Sequence, residues 1–482
     1  MNEILSLDAT GQLLALAAKR VSALELLEAA VARHQALKKR LNAVVVTDLP
    51  AARRRAEMID EQRIAGESLG ALAGLPMTLK DTMDVEGLPA SAGLKAFLGR
   101  PAHDAAAVAR VRAAGAVPWG KTNVPVLAGD WQSYNAIYGT TNNPWNLERT
   151  PGGSSGGAAA ALASGITPLE IGSDIGGSLR VPASFCGVYS HKPTWGLVSQ
   201  RGHVPPVPGS QADRDLNVVG PMARSARDLR LLLSVIAQGP IAAKAAPMAL
   251  KGLKVGLWID EPAFPLDPEV RKVVEAFAIR LAREGADVEL VKPVDAGVLF
   301  ETYFALLAPI IGTDLPPKAL AGMQRMRGMA QLALRLGAGP QSWAGQVLGY
   351  AATHAEWLAA DEARARLGGQ MKTLFERRDV IIAPIAPVTA FPHDHSPFQK
   401  RRLRLSDGKH IPYTAMLNWI SLATALGLPA TAIPAGRSVA GLPIGVQIIG
   451  PHGADSRTLS VAEAMEDALG GFAPPPIEAA AK

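Results

Sequence analysis

The chain has 482 residues, of which 48% are hydrophobic, 19% charged and 5% aromatic, and this composition excludes an intrinsically disordered protein. The net charge is +6, but the basic runs are short and lack interleaved aromatics, so nucleic acid is not an expected partner. The only cysteine, Cys186, excludes an intramolecular disulfide framework and a multi-cysteine metal site.

The first third of the sequence predicts alternating helices and strands. No basic stretch leads into an apolar run at the start, so we expect a cytoplasmic protein. Ser22 followed by Glu25 predicts a capping box that opens an amphipathic helix through about Ala36. The elements that follow are a strand over 41–46, a helix over 51–64, a strand over 75–79, a helix over 105–114 and a strand over 116–119. This order predicts an α/β fold with a mixed central β-sheet flanked by α-helices on both sides.

The remainder of the chain continues the alternation without a linker that would separate domains, so we expect one compact domain over residues 1–482. The elements are a helix over 157–164, an extended segment over 168–171, a strand over 253–259, a helix over 268–284, a strand over 286–291, a mostly helical region over about 300–378 and a strand over 379–383. Prolines interrupt the uncharged stretch 411–436, so we expect a buried helix over 416–428 and no membrane span.

Two short motifs indicate other chemistries but stand in the wrong context. Residues 115–122 fit the phosphate-loop pattern, yet a predicted helix precedes them and Pro125 follows, whereas that loop needs a strand before it and a helix after it. Ser155 fits the G-x-S-x-G nucleophile elbow, with His191 or His203 as candidate partners, but no strand leads into it. We therefore predict neither nucleotide binding nor a Ser155 nucleophile.

A lysine and a glycine-rich turn carry the chemistry that remains. Lys80 ends an apolar strand, where loss of hydration disfavours the ammonium form and leaves a neutral amine that can act as a base. A structural salt bridge with Asp81 or another acidic residue is the alternative for this lysine. Ser178 follows two glycines in the turn 172–180, and such turns direct backbone N–H groups toward one point, where they can hold an oxyanion beside a hydroxyl nucleophile.

The segments that contain Lys80 and Ser178, together with several others, resemble the amidase signature family. Members of this family are serine hydrolases that use a Ser-Ser-Lys triad. The matching segments are 74–81 (GLPMTLKD), 120–125 (GKTNVP), 143–145 (NPW), 151–157 (PGGSSGG), 174–182 (DIGGSLRVP), 185–187 (FCG) and 192–194 (KPT). Weaker similarity extends to 425–429 and 441–447, so the resemblance covers essentially the whole chain. It implies a signature core over about 74–200. The mostly helical region over about 300–378 lies between predicted core strands, a common position for a variable substrate or lid segment.

The resemblance implies a role for each residue of the triad. Ser178 is expected to be the acylated nucleophile, Ser154 the bridging serine and Lys80 the base, with a cis peptide between Gly153 and Ser154. The reaction needs no metal and no organic cofactor. Asp174 is expected to pair with Arg180 and so to brace the turn that carries the nucleophile.

The same resemblance places the substrate around backbone amides. The oxyanion hole is expected to use the N–H groups of Ile175, Gly176 and Gly177, joined by that of Ser178. Ala128 is expected to line the acyl site, with Gly129 beside it. Four aromatic residues are candidates either for the pocket rim or for the core, namely Trp131, Tyr134, Tyr138 and Trp195.

The expected function is an amidohydrolase that cleaves small linear carboxamides or anilides, and also esters, to a carboxylate and an amine or ammonia. An alternative is the glutaminase-type subunit of a tRNA-dependent amidotransferase, but its Tyr/Phe-Asp-Gly-x-Arg-Tyr-Gly tract is replaced by residues 303–313 (YFALLAPIIGT). A peripheral lipid amidase and a non-catalytic binding module are further alternatives. A homodimer is compatible with the family.

Overall fold

Residues 2–100, 102–244, 248–338 and 342–478 are described by a computed structural model. The strands are β1 (Val44–Thr47), β2 (Pro76–Lys80), β3 (Val117–Thr122), β4 (Tyr134–Asn135), β5 (Gly139–Thr140), β6 (Leu169–Asp174), β7 (Tyr189–Lys192), β8 (Val218–Ala223), β9 (Lys254–Leu257), β10 (Asp287–Leu290), β11 (Val380–Pro384), β12 (Arg402–Arg404), β13 (His410–Pro412), β14 (Ala430–Arg437) and β15 (Pro443–Ile449).

Helices separate most of these strands. They are α1 (Asn2–Ser6), α2 (Ala9–Ala17), α3 (Ala23–Leu41), α4 (Leu49–Ile64), α5 (Ala106–Ala113), α6 (Gly156–Ala163), α7 (Arg180–Cys186), α8 (Ala226–Ile236), α9 (Pro268–Arg283), α10 (Ala296–Gly312), α11 (Pro317–Arg335), α12 (Trp343–Tyr350), α13 (His354–Phe375), α14 (Ser421–Ala425) and α15 (Asp455–Leu469).

The central sheet has eight strands in the order β10-β9-β11-β15-β14-β7-β8-β6. Its first three strands run parallel to one another and the remaining neighbours are antiparallel, so the sheet is mixed. A second sheet, in the order β1-β3-β2, lies beside the β6 edge, where Thr78 of β2 donates a hydrogen bond to Glu170 of β6 at 2.7 Å. This arrangement confirms the predicted α/β class and the mixed sheet.

Both faces of the central sheet are covered, as the sequence predicts. Along β11, Val380 and Ile382 belong to one buried apolar cluster, whereas Ile381 and Ala383 belong to another. Because successive side chains of a strand point to opposite faces, the two clusters lie on opposite sides of the sheet. The apolar residues of α8, α9 and α15 fill the first cluster, and those of α7, α10 and α14 fill the second.

Local signals in the sequence place most of these elements correctly. The capping box is present, with the Ser22 side chain accepting from the Glu25 N–H and the Glu25 side chain accepting from the Ser22 N–H. The helix expected over 416–428 is wrong in extent, because a 3₁₀ turn (Tyr413–Leu417) precedes a short α14. None of the helices in the described ranges is long and apolar enough to cross a membrane.

Four helices between β10 and β11 form a layer over one face of the sheet. Helix α10 packs against α12, α13 and α14, and α11 packs against α12. The apolar side of α10 includes Leu299, Tyr303 and Leu306, all of them buried. These helices occupy the region that the sequence identifies as the variable substrate or lid segment, and α10 lies directly above the glycine-rich turn.

Candidate active site

Lys80 lies at the end of β2, paired in register with Thr122 of β3, and it is completely buried. Its Nζ is 2.8 Å from Ser154 Oγ and 2.8 Å from Ser173 Oγ. The alternative salt bridge with Asp81 is wrong, because that carboxylate accepts from Ser91 Oγ at 2.5 Å and faces Lys121 Nζ at 3.8 Å. Lys80 therefore contacts hydroxyl groups where the alternative requires a carboxylate.

Burial changes the protonation of this lysine. Loss of hydration lowers the pKa of Lys80 to about 7, while the carboxylates of Asp174 and Glu170 oppose that shift. At this pKa a substantial fraction of the amine is neutral near neutral pH. A neutral Nζ has a lone pair and can accept the proton of a neighbouring hydroxyl group.

Ser154 lies two residues before α6. The residue before it, Gly153, packs so closely against a neighbouring loop that no other residue type fits there. The peptide between Gly153 and Ser154 is cis, as the resemblance implies. A Cβ on Gly153 would lie 2.4 Å from the carbonyl oxygen of Asp130, which is closer than real Cβ contacts allow. The glycine therefore permits the loop that carries Asp130 to lie directly against the serine turn.

Ser155 does not have the partner that the nucleophile elbow requires. Its hydroxyl group is buried and has no hydrogen-bond partner in the described part of the chain. The ring nitrogens of His191 meet Thr431 and Asp455, and Nδ1 of His203 meets a backbone carbonyl. The backbone N–H of Ser155 instead donates to the Ser178 carbonyl at 3.3 Å, which holds the two serine turns together.

Ser178 and two of its predicted oxyanion donors line a cavity. Ser178, Ile175 and Gly176 all contribute to its wall. Within the described ranges, no hydrogen bond engages the N–H groups of these three residues. The N–H of Gly177 differs, because it donates to Asp174 Oδ1 at 2.8 Å, and this contact weighs against the predicted role of Gly177 as an oxyanion donor.

The predicted pair of Asp174 and Arg180 is present and stabilises the glycine-rich turn. Two guanidinium nitrogens of Arg180 donate to the two oxygens of Asp174, each at 3.0 Å, and both side chains are buried. Burial alone would raise the pKa of Asp174, but the Arg180 guanidinium outweighs it and the pKa lies below its usual value. Asp174 is therefore a carboxylate at neutral pH, and its oxygens also accept from the N–H groups of Gly177 and Leu179.

The cavity in front of Ser178 has a volume of about 190 Å³. Its lining residues are Ala128, Gly129, Asp130, Trp131, Ile175, Gly176, Ser178, Phe300, Phe304, Leu307, Ile311, Gln346, Tyr350, Phe398, Gln399, Thr414 and Leu417. Ala128 and Gly129, which are predicted to lie at the acyl site, and the aromatic candidate Trp131 therefore line the same cavity as Ser178.

The other three aromatic candidates lie elsewhere. Tyr134 stacks on His395 with ring centroids 3.8 Å apart, and the Tyr138 carbonyl accepts from the Asn42 side chain. Trp195 borders a different, open cavity of about 950 Å³ that includes none of the serines described above. Cavity size therefore does not identify the reactive region here, whereas the contacts of Lys80 and Ser178 do.

The sequence predicts a substrate or lid region over about 300–378, which includes most of α10, but not which residues of α10 line the cavity. Phe300, Phe304, Leu307 and Ile311 recur at the spacing of one helical face. That periodicity predicts an apolar face, but not what the face covers. This helical face and Ser178 line the same cavity because segments more than 100 residues apart in the chain pack together.

A buried polar cluster at one side of the cavity was also missed. Arg401 donates to Asp130 Oδ2 at 2.6 Å and to the Tyr134 hydroxyl at 2.8 Å. The Tyr413 hydroxyl donates to the other oxygen of Asp130 at 2.7 Å. The carboxylate of Asp130, although part of the cavity wall, is thus fully engaged by protein groups.

Solved structures of amidases share the fold of this chain. A solved structure described as that of an amidase superimposes with a TM-score of 0.78 at 29% identity, covering 96% of this chain and 99% of that one. A 6-aminohexanoate cyclic dimer hydrolase complexed with substrate has a TM-score of 0.76 at 30% identity, with 96% and 97% covered. Fold and neighbours define an enzyme class that acts on carbon–nitrogen bonds.

A sequence model of the Amidase family matches residues 25–459. The chain belongs to the amidase signature family. Among curated relatives, a glutamyl-tRNA(Gln) amidotransferase subunit from Cyanothece sp. is 33% identical over 486 residues, covering 94% of this chain and 96% of that protein.

Proposed function

We propose that this chain hydrolyses amides through an acyl-enzyme formed on Ser178. The contact that carries the proposal is the 2.8 Å approach of the buried Lys80 Nζ to Ser154 Oγ, because a lysine with its pKa near 7 can supply a neutral base there. Neutral Lys80 takes the proton of Ser154 while Ser154 takes that of Ser178, and Ser178 Oγ attacks the amide carbonyl carbon.

Backbone amides stabilise the charge that develops on the carbonyl oxygen. We assign this role to the unengaged N–H groups of Ile175, Gly176 and Ser178. When the tetrahedral intermediate collapses, the C–N bond breaks and the leaving amine receives the proton that Lys80 holds, by way of Ser154. Water then attacks the acyl-enzyme, loses its proton to the same relay, and releases the carboxylate and Ser178.

The cavity lining supports an apolar acyl group. Phe300, Phe304, Leu307 and Ile311 form one wall, and the volume of about 190 Å³ is slightly larger than an apolar cavity of about 150 Å³ known to hold benzene. An aryl or medium-length aliphatic acyl group fits such a space. We infer that the helical region 300–378 sets the choice of acyl group.

A second candidate is the glutaminase-type subunit of a tRNA-dependent amidotransferase. The curated relatives favour it, since they are named as subunits of glutamyl-tRNA(Gln) amidotransferase and share about one-third of their residues with this chain. The cavity favours the simpler amidase. Among its described lining residues the only charged side chain is Asp130, which Arg401 and Tyr413 already engage, so the ammonium and carboxylate of glutamine would find no oppositely charged side chain that is free, at a cost in affinity.

The choice of amide donor separates the two candidates. We expect the purified chain to release ammonia from benzamide or hexanamide with a kcat/KM about 100-fold above that for glutamine, because an apolar pocket rejects a zwitterion. Ammonia release is measured for each amide, with Ser178→Ala as the blank. Preferred turnover of glutamine, together with partner proteins that copurify with the tagged chain from its native host, would instead support the amidotransferase reading.

The protonation of Lys80 predicts the pH profile. Only the neutral amine is a base, so kcat/KM is expected to fall about tenfold per unit as the pH drops below about 7, and to level off above it. Glu170 raises the pKa of Lys80, so Glu170→Gln is expected to move the acid limb to lower pH.

A matched control uses another buried carboxyl group. Burial also raises the pKa of Glu466 to about 7. This residue accepts a hydrogen bond from the Ala226 N–H, and Ala226 belongs to the apolar cluster on the face of the sheet opposite the cavity. Glu466→Gln should leave the acid limb in place. A limb that moves equally in both variants would mean that Lys80 does not set it.

A further inference from the structure

Two side chains from different segments hold the carbonyl groups of the oxyanion turn. The Tyr303 hydroxyl donates to the Ile175 carbonyl oxygen at 2.7 Å, and the Trp131 indole N–H donates to the Gly176 carbonyl oxygen at 2.8 Å. Tyr303 lies on α10 and is fully buried. Burial raises the pKa of its hydroxyl above the usual range, so the hydroxyl remains a donor at every pH at which the protein is assayed.

Each of these contacts fixes a whole peptide unit, since a trans peptide is planar and its C=O and N–H point in opposite directions. The carbonyl of Gly176 and the N–H of Gly177 belong to one unit. That unit is held at both ends, by Trp131 and by Asp174 Oδ1. It has no hydrogen-bonding capacity left for a substrate on its N–H side.

The preceding peptide unit is held at one end only. Tyr303 engages its carbonyl, from Ile175, while its N–H, from Gly176, has no partner in the described ranges, and Gly176 itself lines the cavity. A Cβ on Gly176 would meet Leu417 Cδ2 at 3.4 Å and the Tyr303 hydroxyl oxygen at 3.8 Å, which are ordinary contact distances. Among the described residues, the hydroxyl of Tyr303 is the hydrogen-bonding group that holds this unit.

We infer that Tyr303 is a positioning residue for the oxyanion hole: by holding the Ile175 carbonyl it keeps the Gly176 N–H directed at the carbonyl oxygen of the substrate. This inference rests on the proposed function. It also links the apolar wall of the cavity to the oxyanion turn. The same helix, α10, contributes Phe300, Phe304 and Leu307 to that wall and Tyr303 to the hydrogen bond with the turn.

Tyr303→Phe tests the inference by removing one oxygen atom while keeping the ring. Direct loss of an oxyanion donor costs about 10²–10³ in kcat, so a misdirected donor is expected to cost about 10–100-fold in kcat, with KM changed less than about threefold. The rate at which a fluorophosphonate labels Ser178 should fall by a similar factor. In that reaction Ser178 Oγ bonds to phosphorus, its proton passes through Ser154 to Lys80, and fluoride leaves. The phosphoryl oxygen occupies the oxyanion hole.

Two further variants distinguish a positioning role of Tyr303 from a general loss of structure. Tyr189→Phe removes a buried hydroxyl that meets Glu466 away from the cavity, and it should change neither kcat nor the labelling rate. Replacing Tyr303 with p-aminophenylalanine restores a hydrogen-bond donor to the Ile175 carbonyl and should recover most of the lost kcat. This variant tests the inference even where Tyr303→Phe does not fold.

The outcomes distinguish failure of the Tyr303 positioning role from failure of the proposed Ser178 acyl-enzyme. Unchanged labelling and kcat in Tyr303→Phe, or a rise in KM alone, would overturn the positioning role and leave the Ser178 acyl-enzyme standing. If the wild-type protein itself is not labelled at Ser178, the proposed function fails and the positioning role fails with it.

Discussion

Replacing Ser178 with alanine, or Lys80 with methionine, is expected to lower kcat by about 10⁴-fold or more, because members of a nucleophile–base unit act together. Methionine keeps the length and burial of the lysine side chain but has no basic nitrogen for Ser154. Turnover of hexanamide measures the loss. Intact mass after fluorophosphonate treatment shows whether a serine is still labelled.

Lys192→Met is the matched control for the lysine. Lys192 is also completely buried, burial lowers its pKa to about 7, and its Nζ donates to the Pro193 carbonyl at 3.0 Å. We expect this variant to retain most of the activity. Equal losses in the two lysine variants would indicate a general effect of removing buried charge, and an adduct that persists in Ser178→Ala would assign the nucleophile elsewhere.

Removing the guanidinium of Arg180 is expected to have the largest effect on stability. Arg180→Met leaves the Asp174 carboxylate buried without its cation, and breaking such a pair costs about 3–5 kcal/mol. It also removes the hydrogen bonds that Arg180 donates to Gln447 and Thr424. The free energy of unfolding, from urea titration where unfolding is reversible, measures this loss.

Two variants check that explanation. The double variant Asp174→Asn with Arg180→Met removes both charges and should recover part of the loss, since no isolated carboxylate remains. Arg227→Met breaks an ion pair with Asp8 in which the arginine is more than half exposed, and such pairs contribute less than about 1 kcal/mol. A cost for Arg180→Met no larger than that for Arg227→Met would contradict the importance of the buried pair.

The parts of the site that could be predicted are those carried by short segments. Lys80 ends a strand with an apolar pattern, and the two serine turns are dense in glycine, so each has a local signature in the sequence. The pairing of Asp174 with Arg180, six residues apart, is expected from the family resemblance that these segments carry. Local patterns of this kind survive in the sequence because the backbone conformation itself restricts the residue types.

The parts that could not be predicted depend on contacts between distant segments. Tyr303 meets Ile175 across 128 residues, and Arg401 meets Asp130 across 271. Nothing in the sequence near either residue indicates its partner. The hydrogen bond from Gly177 to Asp174 is a third case, because a glycine turn does not reveal which of its N–H groups is already engaged.

The buried position of Glu170, where the two sheets meet and its carboxyl group accepts a hydrogen bond from Thr78, has a consequence for how the site titrates. Burial raises the pKa of Glu170 to about 7, close to the value for Lys80. A neutral pair and an ion pair of these two residues have the same total charge, so a proton redistributed between them leaves the interior electrically unchanged. The midpoint seen in a pH profile therefore belongs to the lysine and the carboxyl group jointly.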